Sequence, residues 1–126
     1  MSEKSDLENK IKYAKGYMDE YNKKKEKYER LKKKIQNDVI PKVDQGKINI
    51  SKGNSSLKAN MESNISDQSQ EELEDYIESL ENIKKELKNQ VLPEIERKIT
   101  SLEKKIKYQK GKISDYKDKI KNLDKE

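Results

Sequence analysis

Residues 99–123 read ITSLEKKIKYQKGKISDYKDKIKNL, and their apolar positions step by three and four through Ile99, Leu102, Ile106, Ile113, Tyr116, Ile120 and Leu123. Gln109 is the one polar residue on that line. A 3-4 step marks a helix that buries a narrow stripe against another helix. The same step opens the chain, as Leu7, Ile11, Ala14, Met18, Tyr21, Tyr28 and Ile35, with Lys25 as its one polar residue. Two stripes on one chain predict an all-α fold, a long antiparallel two-helix hairpin of coiled-coil type.

In an antiparallel pair, facing residues have a constant index sum. A sum of 134 pairs Ile11 with Leu123, Ala14 with Ile120, Tyr21 with Ile113, Tyr28 with Ile106 and Ile35 with Ile99. It also pairs Lys25 with Gln109, Pro41 with Pro93, Leu57 with Ile77 and Met61 with Leu73. That register predicts a reversal near Asp67, with arm one over about 3–63, a turn over 64–69 and arm two over about 70–125. Ser69 and Glu72 have the spacing of a capping box for the second arm. Pro41 and Pro93 have similar flanks, Ile35–Val43 and Leu87–Ile95. Interior proline removes a backbone bond and clashes with the preceding turn, so both arms are expected to kink at one level. Between Ile83 and Ile99 the step becomes four throughout (Ile83, Leu87, Val91, Ile95, Ile99), which predicts a local relaxation of the supercoil. Gly46, Gly53 and Asn54-Ser55-Ser56 weaken helix, yet Val43, Ile50 and Leu57 keep a seven-residue step, so a continuous or briefly interrupted helix is favoured over a loop.

Composition agrees with a narrow seam. Of 126 residues, 29% are hydrophobic and 44% charged, too few apolar side chains for a layered globule. There is no Cys, so disulfides and thiolate chemistry are excluded, and no His to act as a general base or metal ligand. Glu71, Asp75 and Glu78 share a helix face, but without His or a calcium-loop glycine they do not make a metal site. No phosphate loop, nucleophile elbow or dinucleotide fingerprint occurs, and no cofactor is implied. No apolar run reaches membrane-spanning length and the N-terminus is polar, so a cytoplasmic chain without membrane insertion is expected.

Charge is segregated. Residues 59–83 hold eight acidic side chains and no basic one; residues 23–34 hold eight basic and two acidic, and 98–112 six and one. This is either a solvated coiled-coil surface or an electrostatic docking surface. A hairpin needs one seam per arm, and Ile40, Ile48, Tyr76, Leu92, Tyr13, Tyr17 and Tyr108 fall outside it. Around the prolines, Ile40 and Leu92 are read either as a widened core or as anchors for a partner helix.

The stretch Ile95-Glu96-Arg97-Lys98-Ile99-Thr100-Ser101-Leu102-Glu103-Lys104-Lys105-Ile106, after a Tyr- and Lys-rich first arm, resembles the small helical accessory proteins encoded with LXG-type toxins of type VII secretion in Gram-positive bacteria. The resemblance implies a targeting factor or chaperone that pairs with the helical N-terminal domain of a toxin, alongside a second small helical protein, and is co-exported or stays in the cytoplasm. The family's Trp-x-Gly turn and Tyr-x-x-x-Asp/Glu signal are both missing, so no functional residue is carried over. Two alternatives stand beside this non-enzymatic reading: a self-associating rod, such as a homodimer, and a basic protein that binds nucleic acid without reading sequence.

Overall fold

The computed structural model describes the backbone of residues 2–60 and 63–125 and the side chains of residues 2–56 and 67–125. The chain is a helical hairpin. Its first arm comprises α1 (Glu3–Lys34), a π-turn (Ile35–Val39) and α2 (Ile40–Asn60). The second comprises α3 (Ser63–Glu86), a π-turn (Leu87–Val91) and α4 (Leu92–Lys125). Ser2 caps α1: its Oγ accepts from the Ser5 N–H and its carbonyl from the Asp6 N–H, both at 3.1 Å.

The reversal comes earlier than expected. α2 ends at Asn60 and α3 begins at Ser63, so residues 64–69 are helix and Ser69 with Glu72 lies inside α3. Polar as it is, this stretch holds no Gly or Pro, and Asn, Ser and Asp are only mildly unfavourable in a helix. The α2 segment is helical too, despite Gly46 and Gly53. Polar contacts secure it: Gln45 Nε2 donates to Asn49 Oδ1 at 2.9 Å, and the Lys84 ammonium donates to Asp44 Oδ1 at 2.8 Å.

Contacts divide into a distal stretch, residues 1–30 with 95–126, and a central stretch, residues 31–94. In the distal stretch, Lys4 meets Asp124 at 3.3 Å and Lys25 meets Glu103 at 3.5 Å. Lys10 lies over Tyr116, Lys105 over Tyr21 and Lys98 over Tyr28. In the central stretch, Asp44 meets Lys84 and Lys47 meets Glu81. A Cβ on Gly46 would lie 3.6 Å from Leu80 Cδ1. All these indices add to 126 or 128. The facing sum is therefore about 127, one heptad less than 134. The seam residues are those expected, and their pairing is slipped by two helical turns. Ala14 packs with Ile113 and not Ile120 as its facing layer, within a cluster of Ile11, Ala14 and Ile113 edged by Met18, Tyr116 and Ile120. Gly46 meets Leu80, again at a sum near 127. The expected pairs Leu57 with Ile77 and Met61 with Leu73 involve residues outside the described side chains.

The prolines do not end the helices. Each is preceded by a π-turn, closed by Ile40 N–H to the Ile35 carbonyl in one arm and Leu92 N–H to the Leu87 carbonyl in the other. Proline at position i clashes with the carbonyl of residue i−4, and one wider turn relieves that clash while keeping the chain helical. In the observed register Pro41 and Pro93 are not level with each other. Their π-turns are: residues 37 and 89, the two midpoints, add to 126. The run of four-residue steps from Ile83 is thus a single inserted residue, and Ile83 at its start is 46% exposed.

Candidate functional site

Heptad letters sort the distal surface. With Leu7, Ala14, Tyr21 and Tyr28 at d, and Ile99, Ile106 and Ile113 at a, position g falls on Lys10, Tyr17 and Lys24 in α1. In α4 it falls on Lys98, Lys105, Lys112 and Lys119. Positions g of antiparallel arms share one edge of the pair. Four of these lysines hold their ammonium groups over tyrosine rings: Lys10 over Tyr116 at 5.9 Å, Lys98 over Tyr28 at 6.0 Å, Lys105 over Tyr21 at 5.7 Å and Lys112 over Tyr108 at 4.7 Å. Such contacts are worth about 0.5–1 kcal/mol each at an exposed site and fix where the stem lies.

Tyr13 and Tyr17 border an open groove of about 160 Å³ with Lys10, Gln109, Lys112 and Tyr116. Tyr17 stacks on Tyr21 with centroids 6.5 Å apart. Lys112 is the centre of this arrangement. Its hydrogen bond with the Tyr108 side chain holds its pKa above the ordinary lysine value, and Tyr116 and Tyr17 add smaller contributions. Further along the same edge, Lys24, Tyr28, Lys98 and Ser101 border a second open groove of about 210 Å³. The ion pairs Lys25–Glu29 and Lys25–Glu103 use e-position carboxylates, on the opposite edge.

The seven off-seam residues separate into three groups. Tyr13, Tyr17 and Tyr108 are 71%, 52% and 62% exposed and gather around Lys112. Ile48 and Tyr76 are exposed on the central stretch, on α2 and α3. Ile40 is a correction: it is 8% exposed and belongs to the core, not to a docking patch. The π-turn explains this, since one inserted residue brings Ile40, five residues after buried Ile35, onto the same face. Leu92, five residues after Leu87, is likewise only half-buried, as Leu87 is, and no longer off the seam. Leu31, which the seam pattern did not single out, is exposed, as is Ile83.

Among the described residues, no group of three or more acidic, His or Cys side chains is placed to hold a metal ion. Among them also, no helix is long and apolar enough to cross a membrane. An open trough of about 630 Å³ lies beside Asp44, Ile48 and Lys52 of α2. What the sequence missed is the lysine edge. Its signal was the seven-residue recurrence Lys98, Lys105, Lys112, Lys119, legible once the letters are assigned. Comparison with protein-family models, with curated proteins and with solved structures finds no match to this chain.

Proposed function

We propose that this chain is a non-catalytic interaction module that pairs with a helical partner, in the manner of a targeting factor or chaperone for the helical N-terminal domain of a secreted bacterial toxin. The observation that carries the reading is that Tyr13, Tyr17 and Tyr108, all more than half exposed, gather around Lys112 on the distal stretch, the first two bordering the open groove and the third lying under the Lys112 ammonium. Tyrosine supplies large contact area at low entropic cost, and aromatic anchors dominate interface energetics. The thin core supports it further: no described large side chain is less than 2% exposed, so a third helix would add burial that the hairpin lacks.

The test is co-expression with the helical N-terminal domain of a toxin encoded beside this chain. A stable complex of defined stoichiometry by light scattering supports the reading. Tyr17→Ala with Tyr108→Ala should then weaken it by about tenfold or more, the scale of losing hot-spot contacts, with helicity by circular dichroism unchanged. Absence of a complex refutes it. A second reading, self-association into a rod, draws on Ile48 and Tyr76 of the central stretch. A homodimer that survives dilution and is dissolved by Ile48→Lys would favour that one.

A further inference from the structure

The two edges of the distal pair differ in charge. Across positions c and g of residues 10–27 and 98–119 there are seven lysines (10, 24, 27, 98, 105, 112 and 119) and two acids, Glu20 and Asp115. Across positions b and e of the same residues there are five lysines and three acids. The first edge is therefore the more cationic, and it is also the edge that exposes tyrosine. In α4 its lysines recur every seven residues, about 10 Å along the helix. Four of them already lie on tyrosine rings, so their stems are placed before any partner arrives.

We propose that this lysine–tyrosine edge seats a third helix, supplied by another protein, that carries carboxylates at seven-residue intervals beside an apolar stripe. The proposal rests on the helical-partner reading and specifies its face and its chemistry. Lysines flanking an apolar seam at g select carboxylates at the flanking positions of the incoming helix, which is how coiled coils choose partner and orientation. Tyr13, Tyr17 and Tyr108 supply apolar and aromatic surface between the charges, where the partner's stripe would lie. Nucleic acid fits this edge less well. The exposed rings offer contact to apolar side chains, and the chain has only two arginines, Arg30 and Arg97, for base edges.

The experiment uses the full chain and two synthetic four-heptad helices with the same apolar stripe, one with Glu at both flanking positions and one with Lys. Binding is read by fluorescence anisotropy at low and high salt. The acidic helix should bind at least about tenfold tighter than the basic one, and more weakly as salt rises. Lys98→Glu, Lys105→Glu and Lys112→Glu together should reverse that preference. Lys104→Glu, Lys107→Glu and Lys121→Glu change net charge equally at positions f and b, and should not. Helicity of each variant is checked first, and Lys112→Glu alone, which should narrow the preference, serves if the triple variant fails to fold.

Equal binding of the two helices, or a preference that survives the reversal, overturns the proposal. So does a DNA duplex that displaces the acidic helix and needs the same lysines. If the toxin domain binds while the acidic helix does not, the edge assignment fails and the helical-partner reading stands. If neither binds, both fail.

Discussion

Cysteines at Ala14 and Ile113 should form a disulfide within one chain, whereas cysteines at Tyr21 and Ile113 should not. The first pair has an index sum of 127 and shares a buried cluster. The second has the sum of 134 that apolar matching alone suggested. A one-heptad slip displaces a residue by about 10 Å along the axis, and the axes themselves lie about 8–10 Å apart. The second pair is thus roughly 13 Å apart, well past the limit of about 7 Å between Cα atoms that a disulfide tolerates. Mild oxidation of dilute protein, followed by mass spectrometry of the peptides and a non-reducing gel, reads the outcome. The bond closes a loop of roughly a hundred residues, for which the chain-entropy account gives an upper bound of about 4.7 kcal/mol. The oxidised form of the first variant should therefore unfold at higher urea than its own reduced form. That comparison holds the loss of the Ile113 side chain constant. Closure of the second pair in preference to the first would restore the slipped register, and cross-links found only between chains would refute the hairpin.

Three further outcomes follow from burial and charge. Ile99, 4% exposed, should cost about 2–4 kcal/mol on truncation to Ala, whereas Ile83→Ala should cost under about 1 kcal/mol, by urea titration. Ile40→Lys places an unpaired charge in the core and should cost about 3 kcal/mol or more, while Ile48→Lys, at an exposed site, should leave thermal stability within about 1 kcal/mol of the parent. Asp44 has its carboxyl held below the ordinary value of 3.8, first by the hydrogen bond from Lys84, which outweighs the opposing effect of burial, and further by the charges of Lys84, Lys47 and Lys88. A folded pKa below the unfolded one means its stabilisation is full above 3.8 and fades as pH falls through the lower folded value. The stability gap between the parent and Asp44→Asn should therefore be present at neutral pH and close in acid; a gap that grew on acidification would contradict the ion pair.

Helicity, the hairpin and the identity of the seam residues were legible because each is a local or periodic property. Leu7, Ile11, Ala14, Ile35, Ile99, Leu102, Ile106 and Ile113 are all buried as the 3-4 step requires. The register was not legible from apolar matching, because a heptad pattern maps onto itself when slipped by seven. Each slip sets apolar against apolar. The 134 register also matches Lys25 to Gln109 and proline to proline. The π-turns hid for a related reason: one inserted residue leaves the pattern readable on both sides and moves only Ile40 and Leu92 across the face. Without the inserted residues, both positions fall outside the seam. The tyrosines were recognised as off-seam residue by residue, but their gathering around Lys112 depends on both arms being in register.

Charge breaks the degeneracy that apolar matching leaves. In the observed register Lys25 is level with Leu102, which by itself looks poor. Its stem covers the apolar layer, and its ammonium reaches Glu103 at 3.5 Å and Glu29 at 3.8 Å. Lys47 meets Glu81, and Asp44 meets Lys84. Slip the arms by one heptad, and the residue in the place of Glu103 is Lys110, that in the place of Glu81 is Lys88, and that in the place of Lys84 is Val91. Two attractive contacts become repulsions and the third loses its partner. Each surface pair is worth only about 0.3–1 kcal/mol. Turning attraction into repulsion at two sites nonetheless separates two registers whose cores are nearly equal. The lysines with cross-arm contacts thus have two distinct placements. Lys25, Lys47 and Lys84 reach carboxylates of the opposite arm and hold the register, while Lys10, Lys98, Lys105 and Lys112 on the g edge lie over tyrosine rings. The g edge is where ordered lysine stems and exposed tyrosines coincide, which is why the proposed partner helix is tested there.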